Sequence, residues 1–121
     1  MAKILIVDDS ETLRLELKSV LTECSHEVVE AESGTDGLEK ANSNQDINLL
    51  ISDFNMPGMD GISMCKKIKE MACFEKLPIL MLTTESTKEL KALGKEAGVM
   101  AWIVKPFNGD KLKAVLGKVL A

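Results

Sequence analysis

The reactive side chains of this sequence sit just past short apolar runs. Asp8 and Asp9 follow the run 4–7, and Asp53 comes soon after the run 49–51. Thr83 and Thr84 follow the run 79–82, and Lys105 follows the run 100–104. Two carboxylates held about 4 Å apart repel by about 4 kcal/mol at an effective dielectric near 20. A group of three therefore calls for a cation or a proton. No His or Cys is placed to favour zinc, and calcium-loop spacing is absent. Oxygen donors alone suit magnesium, which binds through one or two carboxylates, water and a substrate phosphate. Lys105 can pair with Asp53 or with phosphoryl oxygens, and Thr83 can donate its hydroxyl to the same oxygens. Together these groups fit phosphoryl transfer, with Asp53 as the nucleophile that becomes an aspartyl phosphate. Taken singly, each aspartate reads as a helix cap or turn former and Lys105 as a loop residue. Only the complementary set at four strand ends points to a site.

The elements that must position these residues alternate regularly. Runs at 4–7, 28–31, 49–51, 79–82 and 100–104 are short and rich in Ile, Leu and Val, as strands buried on both faces should be. Between them lie helical patterns. Leu13, Leu17, Val20, Leu21 and Cys24 share one helical face, as do Leu112, Val115, Leu116 and Val119. Asp9 or Ser10 can cap the first helix. Ser33 with Asp36, and Ser86 with Glu89, resemble capping boxes for the second and fourth; Asp60 and Asn108 suit the N-caps of the third and fifth. Gly98 falls where a helix ends in a left-handed residue. Gly94, inside the fourth helix, should weaken it by about 1 kcal/mol relative to Ala. Five strand–helix repeats with short loops predict a parallel sheet covered by helices on both faces. In such sheets ligands bind outside the carboxyl ends of the strands, where the reactive residues lie.

Composition narrows the function further. The 121 residues are expected to form one domain, spanning 1–121 with no output domain attached. Apolar residues make up 45% and charged residues 28%, the balance of a globular protein, and a net charge of −4 without a basic run argues against nucleic acid or an acidic membrane as partner. Cys24, Cys65 and Cys73 are odd in number and lack metal-ligand spacing, so they read as reduced thiols filling space. No stretch reads as a signal peptide or membrane span, and a cytoplasmic protein is expected.

Four motifs carry a family resemblance: the segment 4–9 ending in Asp8-Asp9, the segment from Asp53 through Asn55, Met56 and Pro57 to Gly61, then Leu82-Thr83-Thr84, and Val104-Lys105-Pro106-Phe107. In this order and spacing they resemble the response-regulator receiver family along the whole chain, most closely its single-domain chemotaxis members. The resemblance implies a doubly wound, flavodoxin-like α/β fold of five parallel strands in the order 2-1-3-4-5 with five helices. It implies Asp53 as phospho-acceptor, and Mg2+ bound by Asp9, Asp53 and the Asn55 backbone carbonyl, with Asp8 acting mostly through water. Thr83 would be the switch hydroxyl and Lys105 the phosphate-pairing cation, with a cis bond between Lys105 and Pro106. By the same resemblance, Asn55 and Glu85 would occupy positions that in the family tune loss of the phosphoryl group.

The sequence departs from the family at two places. Trp102 stands where Tyr or Phe is usual, and a buried indole N–H needs a partner. Thr84 is bulkier than the usual residue and would narrow access to Asp53. The implied partners are a histidine kinase of the chemotaxis type, a phosphatase, and a protein target bound by a monomer through the face of the fourth helix, fifth strand and fifth helix. Lys88, Lys91 and Lys95 line one side of that helix, with Trp102, Val104 and Lys118 expected nearby. Such a row would attract an acidic amphipathic segment, as of a flagellar motor switch.

The expected function is phosphorylation-dependent target binding in chemotaxis, without turnover of an external substrate. A relay intermediate, a phosphate sink and a phosphorylation-independent adaptor are alternatives. An aspartate-nucleophile phosphatase is more remote, because Ser10 stands where its second aspartate should be. A flavodoxin-type cofactor binder is disfavoured because Asp8 and Asp9 would repel a phosphate.

Overall fold

The computed structural model describes all 121 residues. The chain runs β1 (Lys3–Val7), α1 (Glu11–Glu23), β2 (Glu27–Ala31), α2 (Gly34–Ser43), β3 (Leu49–Ser52) and α3 (Gly61–Lys69). A 3-10 turn (Ala72–Phe74), β4 (Ile79–Thr83), α4 (Lys88–Glu96), β5 (Val99–Val104) and α5 (Gly109–Val119) complete it. All strand pairs are parallel, in the order β2-β1-β3-β4-β5, which is the doubly wound α/β architecture read from the sequence.

Alternation along each strand builds two cores. Leu5, Val7, Leu50, Ile79 and Met81 face one side, against Ala41 of α2 and Ile62, Met64, Cys65 and Ile68 of α3. Ile4, Ile6, Leu49, Ile51, Leu80 and Leu82 face the other, against Leu17 and Leu21 of α1 and Leu112 and Leu116 of α5. The three central strands are buried on both faces, as expected. The outer two are not: β2 is mostly half-buried, and β5 leaves Met100 64% and Val104 44% exposed. Edge strands are covered by helices only in part, and a register shift against β4 pairs Leu80 with Ala101, skipping Met100.

Most predicted caps form. Ser10, Ser33, Asp60 and Asn108 accept backbone N–H bonds at the starts of α1, α2, α3 and α5. Gly98 closes α4 at φ +98°, and Lys105–Pro106 is cis. The fourth helix differs: Thr87, not Ser86, is its N-cap and accepts from the Leu90 amide at 3.2 Å. Two bonds to Glu85, described below, tether the chain just before Ser86, and the helix starts one residue later.

Candidate functional site

Continuation of the ladder beyond the strands carries the reactive residues to one edge. The Asp8 amide donates to the Ala31 carbonyl, the Asp53 amide to the Val7 carbonyl and the Lys105 amide to the Thr83 carbonyl, at 3.1, 3.0 and 2.9 Å. Carboxylate oxygens of Asp8, Asp9 and Asp53 lie within 4.8 Å of one another. Asp8 and Asp53 are buried, at 3% and 6% exposure, while Asp9 faces solvent.

Lys105 Nζ bridges the two buried carboxylates, at 2.8 Å from Asp8 Oδ2 and 3.2 Å from Asp53 Oδ2. Its shorter bond goes to Asp8, whereas the sequence reading paired it with Asp53. Burial pushes the Asp8 carboxyl above its ordinary value, and the repulsion of Asp53 adds to this. The Lys105 hydrogen bond and charge and the Ser10 amide offset only part of the shift. Burial alone would lower Lys105, but its bonds to Asp8 and Asp53 raise it, so it stays cationic. Three carboxylates against one ammonium leave an excess of negative charge. The all-oxygen donor set, open to solvent at Asp9, fits a hard divalent cation such as Mg2+.

The loop after β3 is shaped around the acceptor. Asp53 Oδ1 accepts from the Asn55 amide at 3.3 Å, and Ser52 Oγ donates to the Asp53 carbonyl at 2.8 Å. Gly61 is needed at the start of α3 because a Cβ there would run into the Asp53 carbonyl oxygen. Thr83 is fully buried at the end of β4. Its Oγ1 accepts from the Glu85 amide at 3.4 Å and makes no bond to Asp53. Thr84 is exposed and lines a cavity of about 380 Å³ with Lys105, Pro106 and residues of α1.

A chain of hydrogen bonds leads away from the site. Asn55 Nδ2 donates to Glu85 Oε1 at 2.9 Å, and Trp102 Nε1 donates to the Glu85 carbonyl at 2.8 Å. The indole thus has the partner that its burial required. It packs on Gly94, where an added Cβ would stand 2.8 Å from Trp102 Cζ3. The glycine that reads from sequence as a weakness of α4 is the floor on which the ring lies. Lys91 and Lys95 border a cavity of about 190 Å³ with Val99, Met100, Ala101 and Trp102. Lys88, also exposed, and Lys118 do not line it. Sequence reasoning missed Arg14, whose Nη1 donates to the Asp8 carbonyl at 2.6 Å. Its one available signal was being the only arginine in the chain.

The fold and this edge define a class: a doubly wound α/β protein whose ligand site is an acidic cluster with a paired lysine at the carboxyl ends of the central strands. Residues 4–117 match the family model of the response regulator receiver domain, and the chain belongs to that family. Among similar proteins, chemotaxis protein CheY1 of Helicobacter pylori is 43% identical over 119 residues, covering 98% of this chain and 96% of that protein. A chemotaxis protein CheY homolog of Campylobacter jejuni is 42% identical, with 98% and 92% covered. The structure of Vibrio cholerae chemotaxis response regulator CheY4 superposes with a TM-score of 0.93 at 41% identity, covering 99% of each chain.

Proposed function

We propose that this chain is a chemotaxis response regulator that takes a phosphoryl group on Asp53 from a histidine kinase and thereby changes its binding to a protein target. The observation that carries this reading is the meeting of Asp8, Asp9 and Asp53 at the strand ends, with Lys105 bridging the two buried members. Asp9, Asp53 and the Asn55 carbonyl would hold Mg2+, with Asp8 alongside. When bound, the ion neutralises charge on the transferring phosphoryl group.

A carboxylate oxygen of Asp53 forms the new O–P bond while the N–P bond of the donor's phosphohistidine breaks, its electron pair leaving on the imidazole. Lys105 exchanges part of its pairing with the carboxylates for the phosphoryl oxygens. Thr83 rotates its hydroxyl to donate to the same oxygens, giving up its bond from the Glu85 amide. Water attack at phosphorus later breaks the acyl O–P bond and releases inorganic phosphate, so no external product accumulates beyond the donor's own phosphate. Asn55 and Glu85, joined by their 2.9 Å hydrogen bond, tune how fast the phosphoryl group is lost.

Movement of Thr83 loosens the Glu85 amide, and the Glu85 carbonyl holds Trp102, so the signal reaches β5. The exposed Met100 beside Lys91 and Lys95 suits an acidic, partly apolar segment of a flagellar motor switch protein.

The test is incubation with acetyl phosphate and Mg2+, read by intact mass, with beryllofluoride titration followed by fluorescence of Trp102. The expected result is a magnesium-dependent phosphoryl adduct and a saturable fluorescence change, both lost in Asp53→Asn. An adduct without a fluorescence change would keep Asp53 and remove Trp102 from the signal path. Neither response in the wild type would refute the proposal.

A further inference from the structure

The phosphoryl chemistry above gives no part to Arg14, yet its guanidinium is bonded to residues of two other segments of the chain. It lies on α1 with only 13% of its side chain exposed. Nη1 donates to the Asp8 carbonyl at 2.6 Å, and Nε donates to Glu30 Oε1 on β2 at 3.2 Å. The other Glu30 oxygen takes Lys18 Nζ at 3.4 Å, one turn along α1. Every other basic side chain, apart from the lone histidine, is a lysine. An arginine is used where one side chain must reach two acceptors in fixed directions, which a single ammonium does less well.

What Arg14 holds is the peptide that joins two of the three acidic residues. Asp8 is bonded on every side: its amide to the Ala31 carbonyl, its Oδ1 to the Ser10 amide at 2.9 Å, its Oδ2 to Lys105 and its carbonyl to Arg14. Asp9 is exposed, and its carboxylate has no hydrogen bond or ion pair to another side chain. Its backbone therefore sets where its Cβ sits, and with it the positions its carboxylate can reach. The Asp8 carbonyl and the Asp9 amide share one rigid peptide plane. A donor that fixes the carbonyl fixes the direction in which Asp9 leaves.

We propose that Arg14 is a positioning residue for the acidic site: through the Asp8 carbonyl it aims Asp9 at a divalent cation, and Glu30 aims the guanidinium in turn. This rests on the reading of the cluster as a magnesium site. Simple electrostatics makes the opposite prediction, because a nearby positive charge repels the ion and its removal would tighten binding. The sign of the effect therefore decides between the two.

The experiment is a magnesium titration of the full chain followed by the backbone amide resonances of Asp9 and Asn55. It compares wild type, Arg14→Gln, Arg14→Lys and Glu30→Gln, with Asp9→Asn as the reference for a broken site. Urea midpoints without magnesium report any general loss of stability. Arg14→Gln should weaken binding about tenfold, the low end of what removing an outer-sphere partner of a metal ligand costs. Arg14→Lys should recover little, because it restores the charge without the fork. Arg14→Lys, for which charge alone predicts no change, keeps the test open if Arg14→Gln folds poorly; Glu30→Gln should weaken binding as well, through loss of its own charge and of the guanidinium's anchor. Unchanged or tighter binding in Arg14→Gln, or full recovery in Arg14→Lys, overturns the positioning role alone. Failure of the wild type to bind magnesium overturns the metal reading, and the positioning role with it.

Discussion

Replacing Gly94 by alanine sets two effects of similar size against each other. In the middle of a helix the change should stabilise by about 1 kcal/mol, because alanine loses less backbone freedom on folding. Here the new Cβ would stand 2.8 Å from Trp102 Cζ3, closer than carbon atoms pack. The ring is anchored at its other side by the 2.8 Å bond from Nε1 to the Glu85 carbonyl, so it cannot tilt away and keep that bond. Losing such a bond costs about 1 kcal/mol. Gly94→Ala should therefore leave stability within about 1 kcal/mol of wild type, or about 4 °C in midpoint for a domain of this size. Its visible effect should be a red shift of tryptophan emission as the indole moves toward water. In a Trp102→Phe background the smaller ring gives room, and the same substitution should recover its full gain of about 1 kcal/mol. The assay is a double-mutant cycle by urea unfolding, with emission spectra of the tryptophan-containing proteins. A full gain in stability with unchanged emission in the Trp102 protein would refute the reasoning that the ring is pinned between Gly94 and Glu85.

Two other substitutions test the packing around the site and the amino-terminal end. Gly61→Ala forces a Cβ against the Asp53 carbonyl, where only backbone can yield; it should destabilise by about 1–3 kcal/mol and slow adduct formation from acetyl phosphate, and normal rates with normal stability would contradict the close approach. His26 Nδ1 accepts the Ala2 amide at 3.0 Å, and burial, helped by the charge of the chain terminus, lowers its pKa below 6.5. A depressed folded value means that the unfolded chain binds the proton more readily. The His26 contribution is therefore complete above pH 6.5 and falls as pH drops below that value toward the folded pKa. Urea midpoints should decline across that interval in wild type and show a smaller decline in His26→Gln; identical slopes would show that His26 titrates alike in both states.

The positions of Asp8, Asp53, Thr83 and Lys105 were legible because each lies beside a short apolar run. Parallel topology carries all the carboxyl ends to one edge, so knowing where strands stop was enough to bring the four together. Caps such as Ser33, Asp60 and Asn108 were legible for a similar reason, since a side-chain oxygen meets an amide two or three residues away. The fourth helix broke that rule: Ser86 and Glu89 satisfy the local pattern, yet Thr87 makes the bond. Glu85 is held by Asn55 and Trp102 from other elements, and a local pattern contains no information about such tethers.

Short-range periodicity and the ends of strands are written locally in the residues, and they carry five repeats, a two-faced sheet and an acidic edge with its lysine. The tertiary structure alone decided which faces stay open and which distant residues meet. Edge exposure at β2 and β5 depends on how far helices reach over the sheet. The bonds from Arg14 to the Asp8 carbonyl and from Trp102 to the Glu85 carbonyl join a side chain to a backbone oxygen. Every residue carries such an oxygen, so no residue type announces the acceptor, and only the packed chain reveals which carbonyl is reached.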